Sequence, residues 1–108
     1  MNAYRCMRTI IFFDLPTEKS SQRKAYTKFV KNIKKSGFIM MQESVYVKFD
    51  LDQRAALSSL NTVKKICPNE GSVALLSITE KQFASITYLL GGFESSEFLL
   101  SNKRNVEI

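Results

Sequence analysis

No histidine and no tryptophan occur anywhere in the 108 residues. Without an imidazole there is no histidine general base, so hydrolytic chemistry on this chain must use carboxylates, hydroxyls or a metal-bound water. Cysteine is nearly as scarce. Cys6 lies in the first strand pattern and Cys67 precedes Pro68, with no CxxC spacing. In a reducing cytosol two such thiols behave as small hydrophobes, not as a disulfide framework. Four nitrogen or sulfur ligands for zinc cannot be assembled from them. No apolar run approaches the roughly 20 residues that span a bilayer. The opening "MNAYRCMR" is broken by two arginines where a secretion signal has its apolar core. A cytoplasmic location is expected.

What is present describes one folded domain, with a 44% hydrophobic fraction and aromatics spread along the chain. A chain this short builds a single core and gains from oligomerisation. The net charge of +6 is unevenly placed. Lys19, Arg23, Lys24, Lys28, Lys31, Lys34 and Lys35 fall between Lys19 and Gln42 without one acid, leaving nine basic against ten acidic groups elsewhere. A concentration of that kind is a footprint for a phosphate-rich partner.

Arg5 to Phe13 reads as a buried first strand, near-continuous in strand-forming residues. "TEKSSQRKAYTKFVKNIKKSG" then reads as a helix, with Ser20 or Ser21 as N-cap and Gly37 as the stop. Tyr26, Phe29, Val30 and Ile33 recur at i, i+3, i+4 and i+7 and make its buried stripe. Lys24, Lys28, Lys31 and Lys35 line up on another face. "FIMMQESVYVKF" predicts two short strands around Gln42-Glu43, with Val45, Val47 and Phe49 toward the core and Ser44, Tyr46 and Lys48 away from it.

Asp50 or Asp52 caps a second helix whose stripe is Leu57, Leu60, Val63 and Ile66, ended by Pro68. "GSVALLSI" is a fourth strand and "TEKQ" a capping box opening a short helical turn. "SITYLL" and "EFLL" are candidate late strands around the turn-rich "GGFESS". The order β-α-β-β-α-β is the ferredoxin-like α+β plan, here over residues 1–91, with 92–108 as a C-terminal extension for dimer or partner contact. Both helices then cover one face of an antiparallel sheet. The other face, expected to carry Tyr46 and one of Phe12 and Phe13, is left for a second copy stacked face to face.

The carboxylate of Asp14 stands where the first strand leaves the core, pinned beside Leu15-Pro16. It reads either as a turn former or as a metal ligand. The basic helix is easier to read. Seven positives without an interspersed acid forgo the i,i+4 ion pairs that solvated helices normally use, a repulsion that a polyanion relieves.

"MRTIIFFDLP" with Asp14, Arg23 early in the first helix, "GFIMMQESVYVK" and "TEKQF" occur in an order that resembles the CRISPR-associated Cas-two family. "RKAY", "GFIM" and "TEKQF" are most similar to the subgroup that accompanies single-protein RNA-guided effectors. The resemblance implies a ferredoxin-like homodimer in CRISPR spacer acquisition, with the Asp14 carboxylates meeting across the two-fold axis. It implies Mg²⁺ as cofactor (Mn²⁺ substituting), a metal-dependent endonuclease activity, and a duplex-DNA bridge between integrase subunits. Arg23 resembles a family position linked to nucleolytic activity, where it reads either as a catalytic phosphate neutraliser or as part of the solvated basic face. Ser44 reads either as a catalytic group holding a water or phosphate oxygen near Asp14 or as a plain turn hydroxyl. Lys24, Lys28, Lys31 and Lys35 are the expected nucleic-acid contacts.

Two other functions share this element order. A single-stranded RNA recognition module does, and Val47-Lys48-Phe49 echoes its third-strand motif, but Gln42-Glu43-Ser44 replaces the Arg-Gly-aromatic front half. A metabolite-sensing regulatory domain also does, and it needs no basic ridge.

Overall fold

The computed structural model describes residues 5–93. The candidate strand "EFLL" and the predicted extension beyond Phe93 lie outside them. Strands β1 (Met7–Asp14), β2 (Ile39–Gln42), β3 (Val45–Asp50) and β4 (Ser72–Thr79) alternate with helices α1 (Ser20–Lys35), α2 (Gln53–Ile66) and α3 (Glu80–Ala84). The strands form one antiparallel sheet in the order β2-β3-β1-β4, which is the ferredoxin-like arrangement.

Helix limits follow local chemistry. Lys19, not Ser20 or Ser21, is the N-cap of α1, and its backbone N–H donates to the Gln22 side chain. At the far end Gly37 takes φ +102°, and the Gly37 and Phe38 amides donate to Lys34 and Ile33 carbonyls, the Schellman closure that favours glycine. Asp52 caps α2 by accepting from the Ala55 amide at 2.9 Å. Thr79 caps α3, accepting from Gln82, as the "TEKQ" pattern predicts.

One face of the sheet lies under α1 and α2. Ile11 and Phe13 of β1 and Tyr46 of β3 pack there with Phe29, Ile33, Phe38 and Val63. Phe13 meets Phe29 edge-on at 5.2 Å and stacks on Tyr46 at 5.8 Å. Burial, with a smaller contribution from nearby Tyr26, pushes the Tyr46 phenol above its ordinary pKa. Beside this cluster Asp50 is buried and fully engaged. It accepts from Thr9 Oγ1 at 2.7 Å, Lys48 Nζ at 2.7 Å and Ser59 Oγ at 3.0 Å.

The strand faces are therefore the reverse of the sequence expectation at β3. Tyr46 and Lys48 point under the helices, whereas Val45, Val47 and Phe49 share the opposite face with Ile10 and Phe12. The polar set is accommodated under the helices because Lys48 and Asp50 are satisfied there by Thr9 and Ser59. The more apolar set is covered in part by α3, so alternation alone does not say which is inside. In α2 the buried positions are Ala56, Ser59 and Val63, and Leu57 is 57% exposed. Steps of three residues drift about 60° per step around a helix, which carries Leu57 off the stripe begun at Ile66.

The opposite face is half covered. Phe83 of α3 and Phe93 pack with Ile10, Met41 and Val47. Arg8 locks α3 there, ion-paired to Glu80 and set over the rings of Phe83 and Phe49 at 4.7 and 5.3 Å. "SITYLL", expected as a strand, is irregular after Ala84. Phe12 and Leu76 remain 40% and 49% exposed on the uncovered half.

Candidate metal site and nucleic-acid interface

Asp14 is the last residue of β1 and is exposed. Alternation from Ile10 and Phe12 places it on the open face, beyond the exposed Phe12. On one side β4 brings Ser72 directly opposite it in register. On the other side the Phe13 amide donates to the Ser44 carbonyl at 3.1 Å, which seats Ser44 next to the strand end. Ser44 takes φ +65° in the β2–β3 turn, an uncommon conformation for a residue with a side chain.

Gly71 supplies a feature the sequence did not signal. A Cβ there would lie 2.6 Å from the Asp14 carbonyl oxygen, and its φ is +92°. Only glycine lets β4 begin so tightly against Asp14. Gly71 and Ser72 thus join the site through strand register, which no local motif encodes.

Arg23 lies close in the chain but its guanidinium faces the loop. Nη1 donates to the carbonyls of Thr17 at 3.0 Å and Glu18 at 2.8 Å. It braces the segment that follows Asp14. Among the described residues, no three His, Cys, Asp or Glu side chains gather into a metal-binding group.

On the outer side of α1, Arg23, Lys24, Lys28 and Lys31 border a shallow concavity with Ser20 and Thr27. Lys35 stands apart from it in the last turn, exposed. The four expected lysines therefore occupy one helix, three of them around a common depression.

A ferredoxin-like sheet with an exposed strand-end carboxylate, an incompletely covered apolar face and a helix of basic residues defines a small α+β protein of the ferredoxin-like class. A family model described as "CRISPR associated protein Cas2" matches residues 7–86, and the chain belongs to that family. It is 44% identical over 90 residues to the CRISPR-associated endoribonuclease Cas2 of Streptococcus mutans serotype c, covering 83% of each chain. The proteins of the same name from Treponema denticola and Campylobacter jejuni are 41% identical over 100 residues and 40% over 102. These alignments cover 93% and 94% of this chain, and 98% and 71% of the relatives. Among the described residues no helix is long and apolar enough to cross a membrane.

Proposed function

We propose that the chain acts in CRISPR spacer acquisition as a homodimer that binds duplex DNA along α1, bridges integrase subunits, and carries a Mg²⁺-dependent phosphodiesterase site at Asp14. One observation carries this reading. Asp14 sits at the rim of the half of the sheet face that α3 leaves open, beside exposed Phe12. An uncovered apolar face on so small a domain is an interface, and an isologous two-fold contact there draws the two carboxylates together.

One chain offers a single carboxylate, which fits only a shared site. Mg²⁺ takes one or two protein carboxylates and completes its shell with water and substrate phosphate. Two carboxylates brought close repel unless a cation lies between them, so the pairing itself favours an ion. When bound, the ion supplies a water of lowered pKa and a Lewis acid for the phosphoryl oxygen. Asp14 would hold it, Ser44 would orient a water or phosphate oxygen, and Arg23 would keep the adjoining loop in place. The relatives' name, endoribonuclease, supports RNA as the polymer cleaved.

For duplex binding, α1 is about 24 Å long and faces about seven base pairs. With roughly eight phosphates neutralised by a dimer, log K falls against log salt with a slope of about −7. No side chain here is arranged to read base edges, so binding depends on shape and length. Calorimetry of Mn²⁺ with wild type and Asp14→Asn, alongside duplex titration of both, tests the proposal. Mn²⁺ binding is expected to disappear in the variant while duplex affinity stays within about twofold, as for a rim charge. Equal Mn²⁺ binding by both proteins removes the metal site, and a salt slope near zero removes the duplex interface.

A further inference from the structure

Neither α1 nor α2 contains an acidic residue. The α1 sequence "SSQRKAYTKFVKNIKK" and the α2 sequence "QRAALSSLNTVKKI" carry nine basic groups between them and no carboxylate. In the sequence only the first helix stands out, because Lys64 and Lys65 are separated from it by two strands. The fold sets the two helices side by side over one face of the sheet, with Phe29, Ile33 and Val63 in a common core.

A groove runs between them. Its α1 wall is formed by Ala25, Lys28 and Asn32, and its α2 wall by Lys65, continued by Cys67 and Asn69. Lys28 also borders the outer concavity of α1, so the two depressions share one lysine. On α2, Arg54, Ser58, Asn61 and Lys65 recur at i, i+4, i+7 and i+11 and are all exposed. That spacing places them on one stripe of the helix, the side on which Lys65 meets the groove.

Ammonium groups on both walls, two carboxamides and no carboxylate suit a line of phosphodiesters. We infer that the α1–α2 groove is a second phosphate track, seating the backbone of the same duplex DNA that the outer face of α1 grips. The DNA-binding surface is then the whole helical layer, with Lys28 at the crest between two tracks. The inference rests on the duplex reading above and deepens it by assigning α2 to the site.

The chain carries its own reporter. Of its two cysteines, Cys6 is buried and Cys67 is exposed on the groove. Burial raises the Cys67 thiol pKa, so alkylation is followed at one fixed alkaline pH with an uncharged maleimide. Duplex DNA at ten times its Kd is expected to slow Cys67 labelling about tenfold, the factor set by the remaining free protein. A double variant, Arg54→Ala with Lys65→Ala, is expected to bind about tenfold more weakly and to lessen the salt slope by about two.

Unchanged labelling under duplex that binds by titration overturns the groove track and leaves the α1 interface standing. Protection by single-stranded RNA but not by duplex overturns the assigned occupant. If wild type shows no duplex binding at all, the underlying reading fails, an outcome told apart by titration before any labelling. A melting curve of the double variant matching wild type separates lost contacts from lost fold, and a Lys65→Arg variant that restores the slope assigns the effect to charge.

Discussion

Residues 7 to 14 belong to two different surfaces in alternation. Thr9, Ile11 and Phe13 face the helices, where among the described residues no buried side-chain polar atom lacks a partner and three aromatic rings interlock. Arg8, Ile10, Phe12 and Asp14 face the other way, onto a surface that α3 covers at one end and leaves open at the other. The helix-covered face meets the requirements of a closed core by itself. The open face does not, because it combines exposed apolar groups with a carboxylate at its rim. A strand that satisfies one side and leaves the other unfinished points to where a partner belongs.

Neighbouring phenylalanines give the sharpest test of that contrast. Phe13→Ala is expected to lower stability by about 4 kcal/mol, the usual range for a buried aromatic truncated to alanine. Phe12→Ala is expected to cost less than about 1 kcal/mol in the monomer, yet to shift the proposed dimer toward a single subunit in sedimentation. Equal losses in urea unfolding would erase the distinction between the faces.

The buried carboxylate comes next. Asp50→Ala removes the acceptor of three side-chain donors and leaves Lys48 without its counter-charge. A loss of about 3 kcal/mol is expected, because a half-emptied buried pair is worse than none. A loss below about 1 kcal/mol would mean that water enters this network and the covered face is less closed than described.

The smallest effect is at Tyr46. Its folded pKa is raised, so between the unfolded and folded values the native state holds a proton that the unfolded chain has released. Its contribution is therefore complete below about pH 10 and declines as pH climbs through the unfolded pKa. Tyr46→Phe is expected to flatten the alkaline fall in stability relative to wild type. Identical slopes would show that the phenol titrates as freely in the fold as outside it.

Much of this was legible in the residues. The β-α-β-β-α-β order, the Gly37 stop, the Asp52 cap and the Thr79 capping box each follow from local chemistry that folding does not override. The side of Tyr46 is not legible from alternation, because the face of β3 with polar groups lies under the helices, where Thr9, Lys48 and Ser59 satisfy Asp50, and the apolar face is covered in part by α3. "SITYLL" looked like a strand because its composition suits one, but it has no ladder to join in the described residues. At the site, Asp14 announced itself by standing at a strand end before Leu-Pro. Gly71, Ser72 and the acid-free second helix did not, because their relation to Asp14 and α1 exists only through register and layer packing.

The absence of carboxylates from both helices has a consequence for the ionic strength at which the protein works. Mobile ions shield the crowded cations from one another, so added salt should raise the melting temperature of the free protein. The same ions compete for the surface that a nucleic acid would occupy, so they loosen its hold. Under the proposed binding, fold and grip answer the electrolyte with opposite signs, and dilute solution would strain the chain most and favour its hold on a nucleic acid most.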